Sequence, residues 1–288
     1  RGTPYLELDP GALPEITDAL HMLAGLTEST VHDGNRAIVY QNGTLFPAML
    51  ADIVAAQDSI HLETFVWTQG KLETQFVDAL SERARAGVKV RVLIDTLGAS
   101  GANEDELKRL GDSGAKLASY CRPHWWNWHR FNHRTHRKVL IVDGRIGYTF
   151  GHGIADQWLG NGDSPEHWRD TAIRLEGPVV HGLQCVFAQN WVEETKTLPV
   201  GPGCFPPLED SGKASAHVVS SAAGDAVSSV AMLYTVAIAC ARREVLIQNP
   251  YFAPNDGVVE LLAMMVKRGV EVHLMLPGEQ TDSPFVRR

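Results

Sequence analysis

Three absences limit what this chain of 288 residues can be. Its four cysteines (Cys121, Cys185, Cys204 and Cys240) form no C-x-x-C pair, which excludes a zinc ribbon and predicts free, mostly buried thiols. No apolar run approaches the roughly 18 residues of a membrane-spanning helix. Basic residues do not predominate, since 26 Lys and Arg face 34 Asp and Glu for a formal net charge of −8. That balance argues against a general nucleic-acid-binding protein.

Apolar residues make up 44% of the sequence, which is enough for a hydrophobic core. One polar segment, His136 to Lys138, stands directly before an apolar run. Val139 to Val142 is continuously apolar, which predicts a strand buried on both faces, and Asp143-Gly144 predicts a turn after it. Because alternate residues of a strand share a face, His136 and Lys138 are predicted to point one way and Arg137 the other. The sequence therefore predicts a polar site on a rigid support.

The chain also repeats itself. A strand, a helix and a strand are predicted at 59–67, 72–86 and 88–94, and the same order recurs at 244–252, 258–268 and 270–276. Gly87 and Gly269 end the two helices, about 182 residues apart. A βαβ unit pairs its strands in parallel, so the pattern predicts a duplicated α/β architecture with a mainly parallel sheet.

The halves are predicted to meet in a stretch rich in Pro, Gly and Ser, from 197 to 215. This gives an N-terminal extension at 1–30, a first half at 31–200, a linker at 201–215 and a second half at 216–288. A length of 288 residues is compatible with two halves of about 140 residues each or with one large domain.

The segment from His136 to Asp143 reads His-x-Lys-x4-Asp and precedes a Gly-rich stretch, and it resembles the motif of the phospholipase D superfamily. The longer run HRTHRKVLIVDGRIGYTFGHGIADQW is similar to the bacterial cardiolipin synthase branch. IHLETFVW, HWRDTAIRLEGPVV, VLIQNPYFAPN and LPGEQTDSPFVRR resemble that branch too, in the same order. The resemblance runs from about Val31 to the end of the chain.

The resemblance implies a duplicated phospholipase-D-like α-β-α sandwich, with a mixed, mostly parallel sheet flanked by helices and one active-site cleft between the copies. The family normally uses two motifs, one from each copy. Adding the repeat spacing to His136 places the second motif at roughly position 318, beyond Arg288. We therefore expect these 288 residues to carry one half of an active site and to lack turnover alone.

The implied chemistry needs no metal and no cofactor. By the resemblance, His136 is the nucleophile that forms a phosphohistidine, and Lys138 binds the phosphate oxygens. A neutral imidazole suits this role because it avoids the charge repulsion that an anionic nucleophile meets at a phosphodiester. An ammonium beside it neutralises charge in the transition state, and a second imidazole must serve the leaving and entering alcohols.

Two acidic residues join this predicted catalytic group. Asp143 belongs to the motif, but it also suits a turn that bonds its own backbone, so a catalytic and a structural role both stay open. Asp170 resembles the acid that orients the nucleophilic histidine in related enzymes. The alternative for Asp170 is a surface salt bridge to Arg169 or Arg174.

Gly151, His152 and Gly153 are predicted to bind substrate. Many relatives have Asn where this chain has Gly153, and that change removes an amide that would contact phosphate. Phe150 is expected to narrow the pocket. His152 is either an extra ligand or a packed ring.

Residues 121–138 contain five cations, four histidines, three tryptophans and no acid. Trp125, Trp126, Trp128 and Arg130 are predicted to form a loop that docks on an anionic membrane or admits substrate, because indole rings and cations favour the lipid headgroup region. Core packing and base stacking are the alternatives. A metal site is disfavoured by the spacing of the histidines.

These features predict a phosphatidyltransferase of the cardiolipin synthase type. Phosphatidylglycerol is implied as donor and acceptor, and the enzyme is expected to lie peripherally on a bacterial cell membrane. Three alternatives stay open: a phospholipase D that transfers to water, a homodimeric single-motif phosphodiesterase or nuclease, and a non-catalytic lipid-binding relic. The duplicated βαβ unit argues against the single-motif dimer. Nucleic acid is a disfavoured partner, and the sequence does not indicate an oligomeric state.

Overall fold

The structure, a computed structural model, describes residues 15–120, 135–221, 228–276 and 278. These residues form two compact units: a larger one from Thr30 to Val218, and a smaller one that combines the described residues before Thr30 with those after Val218. Within the described ranges, no helix has the length and apolarity needed to cross a membrane. The three cysteines in these ranges are free thiols, of which Cys204 is buried and Cys185 is exposed.

The larger unit is built on an eight-stranded sheet. Its strands are β1 (His32–Gln41), β2 (Ser59–Thr64), β3 (Lys89–Asp95), β4 (Lys116–Tyr120), β5 (Val139–Val142), β6 (Ile146–Phe150), β7 (Thr171–Glu176) and β8 (Ala214–Ala216). They lie side by side in the order β4-β3-β2-β5-β6-β7-β1-β8. All four residues of β5 are buried, as the apolar run predicts.

Helices cover both faces of this sheet. They are α2 (Leu45–Ala55), α3 (Lys71–Arg85), α4 (Glu104–Asp112) and α5 (Val180–Thr195). Leu140 and Val142 of β5 pack with residues of α2, α3 and α4, whereas Val139 and Ile141 pack on α5. The α/β class, the mixed sheet and the three-layer sandwich are therefore confirmed.

The balance of strand directions differs from the expectation of a mostly parallel sheet. Two pairs in the larger unit are parallel, β2 with β3 and β3 with β4. The pairs that join β2 to β5, β5 to β6, β6 to β7, β7 to β1 and β1 to β8 are antiparallel. For β5 and β6 the physical reason is the length of the connection, since the short Asp143-Gly144 turn can return the chain only antiparallel.

The smaller unit contains α1 (Ile16–Leu26), α6 (Ser229–Ala239), β9 (Glu244–Gln248), α7 (Asp256–Lys267) and β10 (Glu271–Met275). Ala19 and Leu23 of α1 pack against Val236 of α6. Strands β9 and β10 are parallel and are joined by α7.

Each unit thus contains a strand, a helix and a parallel strand where the repeat predicts them. In the larger unit they are β2, α3 and β3, and in the smaller unit β9, α7 and β10. Gly87 and Gly269 follow the two helices with φ of +93° and +87°, so the repeat extends to the backbone angles.

The segment from 201 to 215, predicted as a linker, packs on the larger unit. Ser59 donates a hydrogen bond to the carbonyl of Gly203 over 2.8 Å, and Cys204 is buried. Strand β8 pairs with β1. The Pro- and Gly-rich composition reflects turns over a packed surface, and the end of the larger unit lies at Val218.

Candidate active site

The predicted site lies along one edge of the large sheet. Glu63, near the end of β2, pairs with Val139 at the start of β5, and Phe150 at the end of β6 pairs with Ala172 near the start of β7. Strands β3 and β4 run parallel to β2 and end at the same edge. Ligands of open α/β sheets bind outside the carboxyl ends of the parallel strands, and His136 and Lys138 lie at that edge.

One aromatic ring contacts both motif side chains. The imidazole of His136 stacks on Phe65, with ring centroids 4.3 Å apart and planes 28° apart. The ammonium of Lys138 lies 5.6 Å from the centroid of the same ring. The predicted shared face of His136 and Lys138 is therefore present, with Phe65 beneath both. The sequence reasoning missed Phe65, although it follows directly on a predicted strand.

His136 is exposed, so its ring is accessible to a substrate. Partial burial against its neighbours lowers the pKa of His136, the charge of Lys138 lowers it further, and Asp95 opposes both effects. The lowered pKa favours the neutral form of the ring, which is the form that the predicted attack on phosphorus needs.

Lys138 is half-buried, and the charges of two carboxylates act on it. Its ammonium donates a hydrogen bond to the carbonyl of His136 over 3.0 Å. Burial lowers the pKa of Lys138, while the charges of Asp170 and Glu63 oppose that change. The pair of acids favours an ammonium that stays charged beside His136.

The charge of Asp170 acts on Lys138, but among the described residues no hydrogen bond or ion pair joins the two side chains, and no hydrogen bond joins Asp170 to His136. The carboxylate of Asp170 accepts a bond from the N–H of Thr171 over 2.8 Å. The carbonyl of Asp170 accepts a bond from the N–H of Asn42 over 2.8 Å, and the N–H of Asp170 donates to Oδ1 of Asn42 over 3.2 Å. Asp170 is thus fixed just before β7.

The alternative of a surface salt bridge does not describe Asp170. Arg174 pairs with Asp52 over 2.7 Å and with Glu176, and Arg169 donates to the carbonyl of Gly162.

Because Gly151 has no side chain, the carboxylate of Asp170 can lie against its backbone. A Cβ atom on Gly151 would overlap the carboxylate of Asp170. Of the predicted site residues, the structure brings His136, Lys138, Asp170 and Gly151 together.

A buried polar network lies behind the motif. Glu63 is fully buried and its Oε1 accepts hydrogen bonds from Thr135 and Asn190, each over 2.6 Å. Arg137 donates to Asn190 over 3.0 Å and to the carbonyl of Val186 over 2.9 Å, which ties it to α5. Arg137 points away from Phe65, as predicted. The network anchors the residues on both sides of His136.

Sequence reasoning did not find this network. Burial raises the pKa of Glu63 to about 7, although the bonds from Thr135 and Asn190 and the charges of Arg137 and Lys138 act in the opposite direction. The available signal was an acidic residue inside an otherwise strand-like run, SIHLETFV.

Asp143 lies at the other end of β5 and away from His136. Its carboxylate accepts hydrogen bonds from the backbone N–H groups of Gln57, Asp58 and Ser59, over 2.9, 2.7 and 2.9 Å. Asp143 also adopts a positive φ of 52° at the turn. This placement corrects the prediction of a catalytic Asp143 in favour of the structural alternative, because the side chain holds the loop before β2.

His152 and Gly153 lie inside the larger unit. His152 is fully buried, its Nε2 bonds to the carbonyl of Asn42 over 3.0 Å, and its ring meets Phe46 edge-on. Burial lowers the pKa of His152, and the charge of Asp170 opposes this. The packed-ring alternative therefore describes His152, and the prediction that it binds substrate is corrected.

Phe150 and Gly153, where the sequence differs from the family pattern, both occupy tightly packed positions. A Cβ atom on Gly153 would lie 2.6 Å from Cβ of Val66 and 2.8 Å from Cζ3 of Trp158, so these two side chains occupy the space of the missing Asn. Gly153 accordingly offers no side chain and no open space to a substrate. Phe150 is buried in the core shared by the sheet and α2–α4, and it does not narrow a pocket.

Trp125, Trp126, Trp128 and Arg130 lie outside the described residues, so the predicted membrane loop stays a prediction. In the described ranges, no cluster of three or more His, Cys, Asp or Glu side chains is arranged to hold a metal ion.

Comparisons with known proteins identify relatives of this chain. Residues 49–163 match the family model described as cardiolipin synthase, PLD-like domain. The chain is 33% identical over 276 residues to the major cardiolipin synthase ClsA of Bacillus subtilis, and 34% identical over 261 residues to cardiolipin synthase A of Pseudomonas aeruginosa. These alignments cover 93% and 90% of the chain, but it spans only 56% and 53% of those relatives.

A solved structure supports the fold. Phosphatidylserine synthase of Haemophilus influenzae matches with a TM-score of 0.60 and 13% identity, over 90% of this chain and 66% of that one. The sequence motif, the sheet edge that presents it and the alignments agree: the chain is similar to cardiolipin synthases, which carry a phospholipase-D-like domain.

Proposed function

We propose that this chain supplies one half of the active site of a phosphatidyltransferase of the cardiolipin synthase type. The observation that carries the proposal is the placement of His136 and Lys138 over Phe65, with the carboxylate of Asp170 near the ammonium. Similarity to cardiolipin synthases supports the choice of phosphatidylglycerol as substrate. A peripheral position on a bacterial cell membrane belongs to the same proposal.

In the first step, His136 attacks the phosphorus of phosphatidylglycerol. A P–N bond forms, the P–O bond to glycerol breaks, and the leaving oxygen takes a proton from a second histidine. Lys138 binds the non-bridging oxygens and offsets charge as the transition state forms. Asp170 keeps Lys138 charged and in place.

In the second step, the hydroxyl oxygen of a second phosphatidylglycerol attacks the same phosphorus. The P–N bond breaks, the second histidine takes the hydroxyl proton, and cardiolipin and free His136 result. We assign the second histidine to the other copy of the motif, because His152, the histidine nearest the Gly-rich stretch, is fully buried.

An ester whose leaving group needs no proton allows the attack by His136 to be measured without the second histidine. We expect the 288-residue chain to react once with the nitrophenyl ester of a short-chain phosphatidic acid, releasing about one equivalent of nitrophenolate in a burst. With phosphatidylglycerol, whose glycerol leaves as an alkoxide that needs a proton, the same chain is expected to form no cardiolipin. His136→Asn should abolish the burst, whereas His21→Asn, at an exposed histidine outside the motif, should retain it.

The product of a chase distinguishes the transferase from the hydrolase. The phosphatidyl-enzyme from the burst is incubated with phosphatidylglycerol for hours, and slow formation of cardiolipin is expected, because we assign the histidine that takes the hydroxyl proton to the other copy of the motif. Phosphatidic acid as the sole product would favour transfer to water. Absence of a burst from folded protein would favour the non-catalytic relic and contradict the proposal.

A further inference from the structure

We propose that Glu63 is a positioning residue for this site, where it serves as the buried counter-charge of Lys138 and as the anchor of the segment that carries His136. The inference rests on the proposed function, because Lys138 is taken as the phosphate ligand. Glu63 itself touches no substrate.

The carboxylate of Glu63 is fully buried, and only one of its two oxygens is hydrogen-bonded. Oε1 of Glu63 accepts the bonds from Thr135 and Asn190, whereas Oε2 is buried and has no hydrogen-bond partner. Replacing such a residue by an apolar one of similar size is often neutral or stabilising for a fold. A role in the site therefore explains the presence of a buried carboxylate with one unbonded oxygen better than a contribution to stability does.

The second argument is its connection to the motif. Thr135 precedes His136 directly, and its hydroxyl donates to Glu63 while it accepts from the N–H of Arg137 over 3.3 Å. The N–H of Thr135 also approaches Asp95 at 3.4 Å. Glu63 thus fixes the backbone on the amino-terminal side of His136 from beneath.

The third argument is electrostatic. Glu63 pairs across β2 and β5 with Val139, the residue directly after the half-buried Lys138, so the two charged side chains stem from adjacent strands. Asp170 and Glu63 are the acids that favour the charged form of Lys138. From the segment before β5, Arg137 and Lys138 favour the anionic form of Glu63. Three groups face Glu63 from its own strand and the neighbouring elements. Asp95 on β3 accepts a hydrogen bond from the N–H of Thr135, and Asn190 on α5 offers a neutral amide. His61 on β2 is bound to Gln184 and Arg91.

The direction of the effect can be worked out for Lys138. Above about pH 7, Glu63 is ionised and its charge keeps Lys138 protonated. In Glu63→Gln that charge is gone, so the pKa of Lys138 falls and more free amine is present. Well below pH 7, Glu63 is neutral in the wild type as well, and the two proteins become alike.

Acetic anhydride reacts with the free amine of Lys138, so the rate of acetylation reports the fraction of free amine and requires no turnover. Mass spectrometry measures that rate. We expect the ratio of rates, Glu63→Gln to wild type, to be about one near pH 6 and about threefold to tenfold near pH 8.5, as for a nearby opposite charge. Glu73→Gln is the matched control, because Glu73 is equally buried but bonds to Trp67 and Asn103. A ratio of one at both pH values, or an equal effect of Glu73→Gln, would overturn the proposal.

A wild-type measurement covers the case in which Glu63→Gln does not fold. With ¹³C-labelled Glu and Lys, the Cδ of Glu63 and the Cε of Lys138 are followed by NMR as the pH rises. We expect Lys138 to show an inflection that coincides with the titration of Glu63, near pH 7. A Lys138 signal without that inflection would overturn the counter-charge role, while the nitrophenolate burst tests the proposed function separately.

Discussion

The imidazole of His136 lies on the ring of Phe65, with centroids 4.3 Å apart. A ring beneath the imidazole limits its rotation, so in the proposed mechanism Phe65 sets the direction from which His136 attacks phosphorus. Because the ammonium of Lys138 lies over the same ring, one side chain positions both groups.

Phe65→Leu is therefore expected to slow the nitrophenolate burst by about threefold to tenfold, which corresponds to the loss of one aromatic contact. Stopped-flow absorbance measures the rate. Phe205→Leu is the control, since Phe205 packs edge-on against His181, outside the motif. Equal rates for wild type and Phe65→Leu would contradict a positioning role for this ring.

Asp143 is expected to contribute to stability and not to chemistry. Asp143→Ala leaves three backbone N–H groups without their acceptor and should lower the free energy of unfolding by about 2–4 kcal/mol. Urea unfolding measures this, with Asp163→Ala at an exposed site as the control. The folded fraction of Asp143→Ala should keep a normal burst amplitude, and loss of the burst from folded protein would restore the catalytic alternative.

The stability of the larger unit should depend on pH through two neighbours on β2. The pKa of Glu63 is raised from 4.5 to about 7, so the folded state binds the proton more tightly and Glu63 lowers stability as pH rises through that window. The pKa of His61 is lowered from 6.5 to about 4 by burial, so His61 lowers stability as pH falls through its window. The two slopes oppose each other.

Glu63→Gln separates the two contributions. Relative to the wild type, the variant should gain stability between pH 5 and pH 8, with a slope of at most about 1.4 kcal/mol per pH unit. Urea unfolding at several pH values gives the difference. A difference that is constant with pH would show that Glu63 titrates alike in the folded and unfolded states.

The tryptophan-rich segment is expected to govern binding to membranes. Replacing Trp125, Trp126 and Trp128 with Ala should weaken cosedimentation with anionic vesicles, because the rings favour the headgroup region. The burst with a soluble short-chain ester should stay near normal. Trp168→Ala, at an exposed tryptophan elsewhere, is the control. An equal loss on soluble substrate would assign these rings to the core or to the site.

The sequence predicted those features that local patterns determine. The buried run of β5, the turn at Asp143 and the two βαβ units follow from periodicity and turn residues, and His136 and Lys138 share a face because they precede a strand. Local patterns could not predict the hydrogen-bond network behind them, because Glu63, Thr135 and Asn190 are far apart in sequence and meet only in the folded chain. The roles of His152 and Asp143 were left open by the sequence for a related reason, since burial and distance from His136 are tertiary properties.

The central claim is that His136 forms the covalent bond to phosphorus. The direct measurement is to react the chain with a nitrophenyl ester labelled in its phosphatidyl group, quench at alkaline pH, digest and locate the label by mass spectrometry. We expect one phosphatidyl group per chain, on the peptide that contains His136, with no label in His136→Asn. Label on another residue, or no label from folded protein that releases nitrophenolate, would contradict it.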